Sequence, residues 1–456
     1  MKIWILSEER PKPEVIEEIL YLYAKQKNKG LAILERPLKI TPEIINGIFQ
    51  GTYLVSGAEI DGQPNVAIKI ASGHSSFVDF LVYDKSENPP ETDAKPVLII
   101  EETKTADTES RNTGIFQRAS KFVFVDHYYP NSKKYMLYHL SVAEQKTPTS
   151  TNTFGSRLLS TISVEIVGKN ITNLARAAFT SVTELIKGRS EVRRPPAGNV
   201  PITVEHRGDA IYISGRLHKS GGLSHDPNIG ALTLIAKGLR VLGWDKRIVI
   251  TQHGLSQKNL NGRNKFVLIA NILNIELDGL KLPVAEMPEV YWAYDTRSEK
   301  LATILLSILS LNTPGLQPIY ENHAGSERGY LYGAGDDAFV VHKYVKEEKS
   351  LGNVNLPDLV IRDDNNKTIY ILEGKISAKI KDALDDIKNY GPFETYLKKH
   401  YPEYACVRGV VLYGEHVENP MVFFTLTPTG KMVLDNKKAA FLQNIEAAIS
   451  NFNKPS

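Results

Sequence analysis

Two acid–spacer–lysine triplets, Glu102-Thr103-Lys104 and Glu373-Gly374-Lys375, stand far apart in the chain, and an aspartate precedes each, Asp79 and Asp358. Side chains on a strand alternate faces, so Glu102 is expected to share a face with Lys104 and Glu373 with Lys375. An aspartate from the neighbouring strand then completes two oxygen ligands suited to Mg²⁺ beside one ammonium. That is the equipment for hydrolysing a phosphodiester. Such a bond carries a negative charge that repels hydroxide, and attack builds more; a dication and an ammonium offset both.

The strands and helices around each triplet are legible. Near the first, the pattern predicts a helix from Pro13 to Gln26, then a second from Thr41-Pro42-Glu43 to about Gln50, where Thr41 caps and Pro42 opens the helix. Strands follow at Tyr53 to Ile60, Val66 to Ile70, Phe77 to Tyr83 and Val97 to Thr103, with Ser86 to Lys95 as a hairpin loop. A helix around Gly114 to Val123 and a strand at Lys134 to Leu140 complete this unit. Near the second triplet, a helix at Glu299 to Leu311 precedes strands at Phe339 to Val345, Leu359 to Arg362 and Thr368 to Glu373. Asp363-Asp364-Asn365-Asn366 supplies the turn between the last two. Helices at Lys379 to Tyr390 and Glu394 to His400 and a buried strand at Val407 to Tyr413 follow. The order of elements around the two triplets is alike, although the sequences are not recognisable repeats.

Between them, Lys187 to Pro201 has the Pro, Gly and charge content of a linker, which places a boundary near 190 to 200. The middle, 202–298, reads as a strand at Ala210 to Leu217, a helix at Ile229 to Leu242, a strand at Arg247 to Gln252 and a helical or strand-like stretch at Lys265 to Leu273. Its loops are dense in residues that grip phosphates and read base edges: Arg216 and Lys219 in one, Lys258, Arg263 and Lys265 in the other. His74 and the pair His225-Asp226 have no zinc-ligand spacing and no nucleophile elbow beside them, so they read as loop residues.

The arrangement Pro357-Asp358 followed by Glu373-Gly374-Lys375 resembles the PD-(D/E)xK nuclease superfamily, which includes most type II restriction endonucleases. The resemblance covers about residues 1–150 and 300–430. It implies Asp358 and Glu373 as metal ligands and Lys375 as the group that positions or activates the attacking water. In the N-terminal copy it gives the metal to Asp79 and Glu102 and the lysine role to Lys104, with Val78 standing where the family has proline. Gln117, on the following helix, would orient Lys104 or a phosphate, and Glu43 is a candidate third acid. Glu101 is expected to face away and stays outside the site.

The resulting expectation is an α/β (α+β) chain of two restriction-endonuclease-like mixed-sheet domains, 1–190 and 299–456, flanking a DNA-recognition region at 202–298. The function it implies is Mg²⁺-dependent, site-specific cutting of double-stranded DNA, with two active sites serving the two strands of an asymmetric target. A homodimer is left open, as is a cognate DNA methyltransferase acting on the same site without contact. The alternatives are a structure-specific repair or recombination nuclease, and a DNA-binding protein whose nuclease folds no longer cut.

Composition sets outer bounds. With 456 residues, 42% of them apolar, the chain can bury more than one core. No apolar run is long enough to cross a bilayer and Met1 leads directly into polar sequence, so a cytoplasmic location is expected. The lone cysteine, Cys406, excludes an intramolecular disulfide and a cysteine-rich zinc site. A net charge of +3 leaves any DNA-binding face to local clustering.

Overall fold

The computed structural model describes residues 1–63, 65–73, 77–103, 114–138, 150–168, 176–192, 203–217, 227–322, 328–332, 338–342, 355–435 and 439–452. The chain is mixed α/β and divides into two compact units. Unit 1 comprises Ser72–Ala293 with Met1 and Ile3–Ile5, and unit 2 comprises Leu6–Ala71 and Tyr294–Ser456 with Lys2. The division therefore falls near 71/72 and 293/294, not near 190 to 200, and the middle region belongs to the same unit as the Asp79 triplet.

Unit 1 contains the strands β1 (Phe80–Ser86) and β2 (Leu98–Thr103), helix α1 (Gly114–Tyr128), strand β3 (Lys133–Tyr138), helix α2 (Ser150–Thr161) and strand β4 (Val164–Gly168). β1 pairs antiparallel with β2, and β2 runs parallel to β3, which runs parallel to β4. Parallel neighbours need a crossover, and α1 and α2 provide it. The strands are apolar on both faces, with Ile99, Ile100, Leu81 and Val82 buried, as covered sheets require. A second sheet, in the order Val204–Arg207, Ala210–Ser214, Arg247–Thr251 and Ile275–Leu277, carries the middle region. Helix α3 (Pro227–Val241) packs against α1, and Lys237 Nζ lies 2.5 Å from Asp126 Oδ2 across that contact.

The second triplet lies in a sheet of unit 2 whose neighbouring strands are β5 (Leu316–Glu321), β6 (Leu359–Asp363), β7 (Thr368–Ile376), β8 (Ala405–Tyr413), β9 (Val422–Leu426) and Met432–Leu434. β6 and β7 are antiparallel, while β7, β8 and β9 are successively parallel. Helices α5 (Ile380–Lys388) and α6 (Gly391–His400) form the crossover from β7 to β8. Ala383, Ile387, Phe393 and Leu397 pack with Ile369, Ile371, Val410 and Leu412 in one buried core. On β7 the odd-numbered residues face these helices, so Glu373 and Lys375 continue the row begun by Ile369 and Ile371. Helix α4 (Glu299–Leu311) packs on the other face: a Cβ added to Gly374 would stand 2.7 Å from Thr303 Cγ2.

The segment around Glu43 corrects one expectation. Lys39–Ile45 and Ile48–Ser56 form an antiparallel hairpin, not a helix, and Glu43 lies on a strand where it ion-pairs with Lys2 at 3.1 Å. Asn46 and Gly47 turn the chain with φ of 51° and 78°, the two successive left-handed residues of a tight hairpin. This hairpin belongs to unit 2. Asn312 Nδ2 donates to Ile40 O at 2.9 Å, and Phe49 N donates to Gly430 O at 2.9 Å.

A candidate active site and its altered copy

In unit 2, Leu359 pairs with Leu372 at the last step of the β6–β7 ladder. The next residues along, Asp358 and Glu373, therefore stand opposite each other where the β6–β7 ladder ends and β7 continues beside β8. Gly374 N donates to Asp358 Oδ2 at 2.8 Å, which fixes the aspartate against the β7 backbone. Lys375 Nζ ion-pairs with Glu373 Oε1 and lies 3.2 Å from Asp386 Oδ2 on α5. Tyr390, buried between α5 and α6, donates its hydroxyl to Glu373 Oε2. The structure thus brings Asp358, Glu373 and Lys375 together, and adds Asp386 and Tyr390.

The electrostatics follow from burial. The Asp358 carboxyl is pushed up to about 8, first by burial and then by the negative charge of Glu373, with the Gly374 amide and the Lys375 ammonium opposing. Glu373 is also raised, because its burial outweighs its bonds to Lys375 and Tyr390. Burial works against the Lys375 ammonium, yet the bonds to Glu373 and Asp386 raise it well above the ordinary lysine range. Two or three carboxylates against one ammonium leave an excess of negative charge that a cation would relieve. The arrangement fits Mg²⁺, which is commonly held by one or two carboxylates with water and phosphate oxygens completing its shell. Among the described residues no group of three or more His, Cys, Asp or Glu side chains is placed to hold a metal ion, so the protein would offer it two carboxylates.

Unit 1 repeats the backbone arrangement with different side chains. Phe80 pairs with Ile100 at the end of the β1–β2 ladder, so the opposed acids are Asp79 and Glu101. Glu102 N donates to Asp79 Oδ2 at 2.7 Å, as Gly374 N does to Asp358. Glu101, Glu102 and Thr103 hence occupy the register positions of Glu373, Gly374 and Lys375. This corrects the assignment of Glu102 to the site and the exclusion of Glu101. Asp79 N also donates to Glu101 Oε2 at 3.1 Å. From α1, Arg118 Nη1 lies 3.2 Å from Glu101 Oε1 and 3.6 Å from Asp79 Oδ2, and Lys121 Nζ lies 2.8 Å and 3.4 Å from the same two carboxylates. Glu101 is wholly buried; burial and then Asp79 push its carboxyl up to about 7, against the pull of Lys121 and Arg118.

The remaining predicted residues fall as follows. Lys104 and Lys219 lie outside the described residues, as do His74, His225 and Asp226. Gln117 is on α1, next to Arg118. Arg216 and Lys258 are exposed. Arg263 is exposed and paired with Glu286 at 2.6 Å. Lys265 is not a surface loop residue: it opens the helix Lys265–Ile272, is buried, and its ammonium is lowered to about 8 by burial and by the charge of Lys121, with Glu101 opposing.

No protein-family model, no curated protein and no solved structure matches the chain. No helix among the described residues is long and apolar enough to cross a membrane.

Proposed function

We propose that the chain is a Mg²⁺-dependent DNA endonuclease of the PD-(D/E)xK kind, cutting site-specifically as type II restriction enzymes do, with its catalytic centre at Asp358, Glu373 and Lys375. The observation that carries this reading is the meeting of two opposed carboxylates, Glu373 buried and Asp358 partly so, with a lysine where the β6–β7 ladder ends. Asp358 and Glu373 are the residues that would hold Mg²⁺, which when bound supplies positive charge to the scissile phosphate. The Gly374 amide orients Asp358, and Tyr390 and Lys375 orient Glu373. Lys375 is held protonated by Glu373 and Asp386, so its part is to donate to the charge that develops on the phosphate, not to accept a proton from water.

The test is digestion of phage DNA by purified protein with Mg²⁺, using Asp358→Ala, Glu373→Ala and Lys375→Ala as controls. Discrete bands are expected from the wild type, and each variant should lose about 10²–10³-fold or more in rate while still shifting DNA in Ca²⁺. A smear would replace site-specific cutting by general degradation. Cutting by Lys375→Ala at the parental rate would sink the assignment.

A further inference from the structure

We infer that the Asp79–Glu101 pair of unit 1 takes no divalent cation, because its own Arg118 and Lys121 stand in the place of one. Metal at Asp358 and Glu373 rests on the proposed function; its exclusion from unit 1 does not.

Three observations converge on it. The first is the balance of charge. Around Asp358 and Glu373 the acids outnumber the one ammonium, since Asp386 is in contact with Lys375 and Glu299 adds its charge to that felt by Asp358. Around Asp79 and Glu101, where Glu102 adds its charge to that felt by Arg118, the cations Arg118, Lys121 and the buried ammonium of Lys265 match the acids. A dication entering there would meet like charge within a few ångströms in a buried setting.

The second is geometry. Arg118 and Lys121 each touch both carboxylates, bridging them as a shared metal would. Arg118 is also fixed from behind, because its Nη1 donates to the backbone oxygen of Glu102. It is part of the strand-end structure and does not swing free as a surface charge does. The third is register. The position that holds Lys375 in unit 2 holds Thr103 in unit 1, and the cations come instead from α1, across from the acids. The backbone frame is alike in the two units, while the acids of unit 1 are matched by cations.

The test counts bound Mn²⁺ on the full chain by electron paramagnetic resonance titration. Wild type should bind one ion tightly, and Glu373→Gln should bind none. Arg118→Gln/Lys121→Gln, checked for a native circular dichroism spectrum, should gain a second ion at the acids thus uncovered. Two ions in the wild type, one of them surviving in Glu373→Gln, would overturn the inference. A folded double variant that still binds one ion would also overturn it, since the two cations would then not be what keeps metal out. No ion bound by the wild type would leave unit 1 as inferred and remove the metal from the proposed function instead. If the double variant does not fold, single Lys121→Gln gives the same reading, with a second ion expected at weaker affinity and its absence counting against the inference.

Discussion

Tyr390 and Lys375 divide the two oxygens of Glu373 between them, so the carboxylate has its orientation set before any ligand arrives. Tyr390→Phe removes one of the two restraints while leaving the ring in the core. Outer partners of this kind typically carry about 10–100-fold in metal affinity or activity. The Mg²⁺ concentration for half-maximal cutting should rise by that order in Tyr390→Phe; an unchanged requirement would show that the hydroxyl serves packing alone. The raised Asp358 carboxyl gives a second prediction at this scale. An acid whose folded pKa of about 8 exceeds its unfolded value binds its proton more tightly when folded, so the metal-free protein loses stability as pH rises from about 4 towards 8. Asp358→Asn removes that loss, and in EDTA its melting temperature should gain on wild type steadily over this window. A constant difference from pH 5 to pH 8 would contradict the assignment. Lys265 has the opposite sign. Its lowered ammonium costs stability most below about pH 8, so Lys265→Met should melt higher than wild type at pH 7 and lose that advantage by about pH 10. Of these residues the sequence displayed Asp358, Glu373 and Lys375, since acid, spacer and lysine on one strand face is a local pattern. It did not separate Glu101 from Glu102. Two adjacent acids offer two alternations, and only the pairing of Phe80 with Ile100, a long-range fact, selects one.

Elements explain what each strand end tolerates. Gly374 is pressed between α4 and Asp358: a Cβ there would meet Thr303 Cγ2 at 2.7 Å and Asp358 Oδ2 at 3.1 Å. Gly374→Ala should therefore cost about 1–3 kcal/mol by overpacking and disturb the aspartate, a loss readable as a lowered urea midpoint together with slowed cutting. Parental values for both would mean that α4 yields freely. At the tip of the hairpin, Gly47 has a φ of 78° that a branched side chain resists, so Gly47→Val should lower stability by about 1 kcal/mol or more. The helix Pro13–Lys27, helices α1, α5 and α6 and strands β6, β7 and β8 were readable because their apolar periods are clean, whereas α2, β4, β5 and β9 were not read. The hairpin was not read, because Thr41-Pro42-Glu43 imitates a helix start; yet Asn46-Gly47 between apolar alternations was a turn signal present in the chain. Arg118 and Lys121 carried no role in the sequence reading, and only the opposed acids beneath α1 give them one.

Over the whole molecule, a net charge of +3 supplies little general attraction for DNA, so affinity on the proposed function must come from local cations. Arg216 and Lys258 are exposed candidates within unit 1. Arg216→Ala/Lys258→Ala should reduce the slope of log affinity against log salt by about two, roughly one per phosphate contact, whereas buried Lys265→Met should leave it unchanged. A slope that does not move in the first variant would take both loops out of the interface. The contacts divide the chain at positions that a local shift in composition does not display, because unit 2 is closed by long-range bonds such as that from Phe49 to Gly430. Those bonds also set a timetable. Unit 2 is drawn from Leu6–Ala71 and Tyr294–Ser456, so a ribosome has made all of unit 1 before it begins the strand that carries Glu373. At about 5–20 residues per second, the early hairpin waits many seconds for its partners, and the Asp358–Glu373 corner can close only when β8 and β9 have been translated. On the proposed function, a polypeptide halted anywhere before them would lack cutting power.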